Sequence, residues 1–276
     1  MVLYENQRTI GDLIASLALM GDDVGLAVHD NGPGATTLAA AQDAATRAGL
    51  PFRGEVCADN CGFGSGCNSL ALASAAEQVL FLNPDAALLS WPSQLFAAEG
   101  IVGASISDPA GHPASSSARR RSLWDEICLR WLRRRQPAAA GQGYVSGAAM
   151  LIPTQVFRQL GGFDSRYFMY YEDIDLCSRA GDAGVSVLLD PQWRVVHLGG
   201  HSVGRSVTGL RTALLRSYDS GRSYHRSRGH STRAYDALCL VDALFRVLTG
   251  LVPSRRPSAR ANAAVALRAG QRLLTG

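Results

Sequence analysis

Three carboxylates crowd into four positions at Glu172, Asp173 and Asp175, after the aromatic run Tyr167, Phe168, Tyr170, Tyr171 and ahead of Arg179. Acids at a helix start meet the positive end of the helix dipole, and Asp175 can pair with Arg179 one turn on. That accounts for Asp175 alone. The aromatic lead-in could wall a site and raise the pKa of Glu172 or Asp173 towards that of a general base. Adjacent helical positions point about 100° apart, so only one of the two aims at a given substrate atom.

Three other clusters are chemically suggestive, each with a plainer alternative. Gln78 to Leu82 reads as a strand halted by Asn83-Pro84-Asp85. That tripeptide is either an ordinary strand-ending turn or a device that projects Asp85 from the strand end. One carboxylate there suits Mg2+ or Mn2+ bridging the oxygens of a diphosphate. The run NCGFGSGCN, residues 60–68, is either a connector or a glycine loop whose N–H groups approach phosphate or ribose closely. Its glycines, at 62, 64 and 66, do not spell the dinucleotide fingerprint, which disfavours a nicotinamide site. His197 closes a strand, either as a structural residue or as a further metal ligand through a neutral ring nitrogen.

These side chains need a scaffold that gathers strand ends. VLYEN, Val24 to Val28, Phe52 to Val56 and Gln78 to Leu82 read as strands, with helices expected at Thr9 to Met20, Thr36 to Ala48 and Ser69 to Ala76. Alternation of this kind predicts an α/β fold with a mainly parallel sheet flanked by helices. Residues 105–142 lose the rhythm, with Pro109, Pro113, three serines, the Arg119 to Arg121 triplet and a short amphipathic helix around Trp124 to Arg135. They read as an irregular basic insertion. YVSGAAMLIP is expected as a strand, then a helix near Thr154 to Leu160, and strands at Val185 to Leu189 and Trp193 to His197. Everything beyond Gly204 reads as helical, including Ala237 to Leu251 and Ser258 to Leu274.

Composition narrows the function classes. With 47% hydrophobic residues in 276, the chain can fill one large core and is not disordered. Its apolar windows are interrupted by charge, Gly or Pro, which argues against a membrane span. No basic stretch precedes an apolar one at the N-terminus, so a cytoplasmic location is expected, free or on the inner face of the membrane. All 27 basic residues are Arg, and 13 of them follow Gly204, against only Asp219, Asp236 and Asp242. Such a tail suggests an anionic partner, and the stripe Leu238, Val241, Leu244, Phe245, Leu248 reads either as a contact with an anionic membrane surface or as the face of an ordinary helix packed on the catalytic domain. No nucleic-acid reader motif accompanies it. The six cysteines include no C-x-x-C pair and no histidine at finger spacing, so they read as reduced thiols.

In their order, the motifs resemble family 2 glycosyltransferases of the GT-A fold, in the bacterial rhamnosyltransferase-like branch. The specific stretch is VSGAAMLIP…GGFDSRYFMYYEDIDLCSRAGDAG…VVHLGGHSVG, residues 145–204, preceded by YEN, HDNG, the Asn60 to Asn68 loop and FLNPD. The resemblance covers about residues 1–205. It implies a Rossmann-like catalytic domain over 1–205 and a basic helical extension over 206–276. It places the nucleotide-sugar against Tyr4, Asn6, Asp30, Asn60, Gly62, Gly66, Asn68, Asn83 and Asp85. It puts a metal on Asp85 and His197, the base at Asp173, and the acceptor against Gly147, Tyr170, Tyr171 and Glu172. Pro33 replaces the family's serine, and Asn83 stands where an Asp would add charge. The implied reaction is inverting transfer, first from dTDP-L-rhamnose and alternatively from a UDP-hexose. The acceptor is a cell-surface glycan or its lipid-linked precursor. An intact Asp85, Asp173 and His197 set argues against the alternative of a degenerate glycan- or anion-binding protein.

Overall fold

The computed structural model describes residues 1–276 apart from 22, 35, 58, 115, 120–121, 127–142, 199–205, 250–255 and 276. Contacts divide the chain into two units. One is Met1–Arg119, Pro137–Phe168 and Glu172–Ser202, the other Arg120–Gln136, Met169–Tyr171 and Val203–Gly276.

The first unit opens with β1 (Val2–Leu3), α1 (Ile10–Ser16), β2 (Leu26–Asp30), α2 (Thr36–Arg47), β3 (Phe52–Val56) and α3 (Phe63–Ala71). β1, β2 and β3 pair in parallel in that order, and parallel neighbours require the crossovers that α1 and α2 supply. Ile10, Leu13 and Ile14 of α1 are buried at the helical spacing read from sequence, and the last turn tightens to a 3₁₀ helix over Leu17–Met20. Each such side chain contributes about 1.5–3 kcal/mol by leaving water. They join one core with Val28, Ala41, Ala45, Leu88, Ala104, Ile106, Trp193 and Val195.

The chain continues through β4 (Gln78–Leu82), β5 (Ala86–Ser90), β6 (Ile101–Ser107), β7 (Ser117–Arg119), β8 (Gly143–Val145), β9 (Ala149–Pro153), α4 (Thr154–Gln159), α5 (Glu172–Asp182) and β10 (Val187–His197). Five strands form a second sheet in the order β4-β9-β6-β10-β5, while β7 pairs with β8 alone. Among the described residues, parallel pairing extends here only to β6 with β10; β9 runs antiparallel to both of its neighbours. β9 is entered from β8 through a tight turn, which Ala149 N–H closes on the Ser146 carbonyl. YVSGAAMLIP is therefore two strands and a turn. Conversely, the two strands expected over Val185 to His197 are one, with a register shift between Asp190 and Arg194 where Pro191 has no N–H to donate. The helix expected from Ser69 begins instead at Phe63, inside the glycine run. Of the helix expected around Trp124 to Arg135, residues 123–126 are helical and the rest lie outside the described residues.

The second unit carries α6 (Val207–Ser227), α7 (Thr232–Thr249) and α8 (Arg256–Thr275), so the region beyond Gly204 is helical as read. Tyr218, Tyr235, Cys239, Ala243, Val265, Ala266 and Ala269 make its core. Asp236, fully buried, takes the Tyr218 hydroxyl at 2.6 Å and the Arg222 Nε at 2.9 Å. Arg246 pairs with Asp242, and Arg268 and Arg272 both pair with Asp219. Four tail arginines are thus tied to the three acids of the unit, and the remaining arginines carry the charge on offer to an anionic partner. α7 leaves Val241, Leu244, Phe245 and Leu248 exposed, the stripe expected from sequence, with Leu238 half-buried beside it.

Candidate active site

Asp85 and His197 meet because of strand register. β5 and β10 pair antiparallel with Ala86 opposite His197, so the residue before one strand adjoins the residue ending the other. The Leu198 N–H donates to the Asp85 carbonyl at 3.0 Å, which extends the ladder by one step. His197 Nε2 then lies 3.0 Å from Asp85 Oδ1 and 3.2 Å from the Asn83 amide nitrogen. Asp85 is buried, and the His197 side chain keeps 22% exposure. A carboxylate oxygen and a ring nitrogen converging at a partly open strand end fit a hard divalent cation. Such a cation binds few protein ligands and fills its other positions with phosphate oxygens and water. The GGHSVG stretch beyond Leu198 lies outside the described residues.

Asp173 sits in the first turn of α5. Its Oδ2 accepts the Gly147 N–H at 3.0 Å and its Oδ1 accepts the Ile174 N–H at 2.8 Å. Gly147 sits in the turn between β8 and β9, and the Asn83 N–H donates to the next carbonyl, Ala148, at 3.0 Å. Asn83 and Asp173 are therefore anchored to adjacent residues of one turn. This assigns Gly147 to positioning Asp173, a nearer duty than the acceptor contact expected from sequence.

Glu172 is withdrawn from any acceptor surface. It is buried, and its Oε2 has no hydrogen-bond partner among the described residues. Burial first, and the Asp173 charge second, push its pKa up to about 8. One of two neighbouring acids therefore holds its proton near neutrality, the pattern by which adjacent carboxylates divide acid and base roles. Asp175 pairs with Arg179 at 2.7 Å as expected, and Arg179 also caps the carbonyls of Leu160 and Gly162. Tyr171 is buried, donates its hydroxyl to Glu126 at 2.7 Å and packs on Tyr224 within the helical unit. Tyr170 is half-buried, and both tyrosines take φ near +70°, unusual for side chains of this bulk.

The nucleotide-binding expectations divide. Asp30 has no exposed surface; its two oxygens accept the N–H groups of Gly32 at 2.9 Å and Leu38 at 3.1 Å. Through these two bonds it shapes the loop after β2. The Asn68 amide is likewise spent, donating to the Phe163 carbonyl at 2.7 Å and accepting the Phe163 N–H at 2.8 Å. Gly66 lies within α3, where a Cβ would meet His29 and Val2 at under 3 Å. It is needed for close packing. Gly62 caps α3 at φ +87°, and a Cβ there would stand 2.2 Å from the Phe168 carbonyl oxygen. Asn60 stays exposed and holds Gly62 N–H at 3.0 Å, and Tyr4 is 40% exposed. Asn6 is buried, its side chain accepting the Tyr4 N–H at 2.7 Å. Asn31, which sequence reasoning passed over inside HDNG, ties the two loops together by donating to the Gly62 carbonyl at 3.1 Å and accepting the Cys61 N–H.

A two-sheet α/β unit with an Asp–His pair at one strand end and a helix-start carboxylate across the adjoining turn defines the class: the GT-A fold of nucleotide-sugar transferases. In three dimensions the chain is similar to a mannosyltransferase from Pyrobaculum calidifontis, solved with GDP-Man and Mn2+. The TM-score is 0.53 at 14% identity, over 99% of this chain and 85% of that one. In sequence it is rhamnosyltransferase-like. It is 44% identical over 72 residues to N-acetylglucosaminyl-diphospho-decaprenol L-rhamnosyltransferase of Mycobacterium tuberculosis, 26% of this chain and 24% of that one. It is 41% identical over 58 residues to the rhamnosyltransferase WbbL of Escherichia coli, 21% and 22% of the two chains. The matches thus span about a quarter of the length of these curated relatives. No protein-family model matches the chain.

Proposed function

We propose that the chain moves a sugar from a nucleotide-diphospho-sugar to an acceptor hydroxyl with inversion at the anomeric carbon. Asp173 takes the hydroxyl proton as the acceptor oxygen bonds to that carbon. The bond to the diphosphate breaks on the opposite face, and its electron pair leaves with the nucleoside diphosphate. The observation that carries this reading is the shared turn, which anchors Asn83 through Ala148 and Asp173 through Gly147. Asp85 and His197 are the residues to hold Mg2+ or Mn2+. When bound, that ion supplies charge neutralisation to the departing diphosphate. Tyr4, Asn60 and Gly62 would line the nucleotide, with Asp30, Asn68 and Gly66 holding its loops in place.

The donor proposed first is dTDP-L-rhamnose, supported by the two rhamnosyltransferase relatives; a UDP-hexose is the alternative. A cell-surface glycan or its lipid-linked precursor is the proposed acceptor, in line with the decaprenol-linked substrate in the name of the mycobacterial relative. Residues 1–205 would carry catalysis and 206–276 would hold the protein on the cytoplasmic face of the membrane. No helix among the described residues is long and apolar enough to cross one. Hydrolysis and transfer assays across dTDP-, UDP- and GDP-sugars test the reading. Turnover of dTDP-L-rhamnose above the rest is expected, and binding without turnover of any donor would leave a glycan-binding protein instead.

A further inference from the structure

Cys57, Cys61 and His29 offer three ligand atoms that all lie within 4.8 Å of one another, at the junction of β2, β3 and the start of α3. We propose that they form a binding site for a thiolate-loving divalent cation of the Zn2+ type, separate from the Asp85–His197 pair. The geometry is specific at each member. His29 Nδ1 lies 2.7 Å from Glu55 Oε1, and a carboxylate can only accept, so Nδ1 carries the hydrogen. That leaves Nε2 as the ring's lone-pair atom. Nε2 faces Cys61 Sγ at 3.4 Å, close to the about 3.6 Å edge that a tetrahedral zinc with ordinary Zn–S and Zn–N distances would impose.

Asn31 closes the remaining side. Its amide nitrogen is committed to the Gly62 carbonyl and its Oδ1 takes the Cys61 N–H, so Oδ1 points inwards, 3.2 Å from Nε2 and 3.4 Å from Cys61 Sγ. The two sulfurs and the ring lie within 4.8 Å of one another, with Asn31 Oδ1 beside Cys61 Sγ and Nε2. The Cys57 thiol donates to the Asp59 carbonyl at 2.7 Å, a bond the ion would replace. A cation satisfies the sulfurs, the ring nitrogen and the amide oxygen at once. Two thiolates and one dication sum to zero charge, and binding releases the two thiol protons to solvent. Glu55, steadied by Ser69, stands behind His29 as the outer carboxylate that fixes a ligating imidazole.

The consequence is a pinned loop. Cys57 N–H already donates to the Asp30 carbonyl at 2.9 Å, and a shared ion would add a covalent-strength tie from the end of β3 to the Asn60–Gly62 turn. Neither Asp85 nor Asp173 takes part, so failure here leaves the transferase reading untouched.

Cobalt titration of the reduced full chain tests it. One equivalent of Co2+ should raise a thiolate-to-cobalt charge-transfer band with strong tetrahedral bands in the visible, and one equivalent of Zn2+ should erase both. Cys57→Ser and Cys61→Ser should each remove the charge-transfer intensity in part, and the double variant wholly. Asp85→Ala and the buried Cys177→Ser should keep it. Circular dichroism establishes that each variant is folded. Absence of the band in the folded wild-type chain, its survival in the double variant, or a Cys57–Cys61 disulfide in freshly purified protein would overturn the site.

Discussion

The Asp173 carboxylate accepts the backbone N–H of Gly147 at 3.0 Å, one residue before the Ala148 carbonyl that receives the Asn83 N–H. A rigid sheet turn thereby sets the spacing between a helix-start acid and the Asn83-Pro84-Asp85 strand end. Preorganisation of this kind matters because a base misplaced by about 1 Å can lose about 10²-fold in rate.

Replacing Asp173, the proposed base, gives the sharpest test. Asp173→Asn keeps the size and an oxygen for Gly147 N–H but cannot take a proton. Transfer should fall by about 10²–10⁴ while donor affinity, measured by calorimetry, stays within a few-fold. Unchanged turnover in Asp173→Asn together with a dead Glu172→Gln would move the base to Glu172.

Glu172 makes stability fall as pH rises. Its folded pKa is raised from 4.5 to about 8, so between those values the unfolded chain has lost a proton that the folded chain retains. Stability from this group is fully present below about pH 4.5 and is lost progressively up to about pH 8. Glu172→Gln should abolish that slope, so its Tm exceeds that of the wild type at pH 8 and the gap closes towards pH 5. Asp173→Asn removes the neighbouring charge and should shrink the window without erasing it. Identical Tm profiles for wild type and Glu172→Gln would refute the assignment.

For the Asp85–His197 pair, activity should depend on Mg2+ or Mn2+ and vanish with chelator. Asp85→Ala should lose most transfer with its circular dichroism intact, and His197→Ala should raise the Mn2+ concentration needed for half-activity. Full transfer in excess EDTA would refute metal use at this strand end.

Local patterns were legible where one element carried the signal. Ile10, Leu13 and Ile14 announced α1 by spacing, and Asp175 announced Arg179 by a helical turn. Helix α3 was read late because Gly64 and Gly66 have poor helical propensity. Their small size is required by Phe163, His29 and Val2, which come from elsewhere in the chain. The loop-holding bonds of Asp30 and Asn68 were not legible for a related reason. Both look like ligand-facing residues, yet their hydrogen bonds go to Gly32, Leu38 and Phe163. The grouping of His29 with Cys57 and Cys61 had no spacing to reveal it, since β2 brings the histidine in from 28 residues upstream of the nearer cysteine.

The stripe on α7 should govern membrane contact. Leu244 and Leu248 are 47% and 67% exposed, with Val241 and Phe245 on the same face. Burying a leucine is worth about 1.5–3 kcal/mol, so replacing both by Gln should lower partition into anionic vesicles by tenfold or more. Salt should matter less than the arginine count suggests, because Arg222, Arg246, Arg268 and Arg272 are already paired with Asp236, Asp242 and Asp219. Vesicle flotation of the full chain at low and high salt measures both effects. Binding that collapses with salt yet ignores Leu244→Gln/Leu248→Gln would show a purely electrostatic surface. Absence of flotation in the wild type would instead leave the stripe as a docking face for protein.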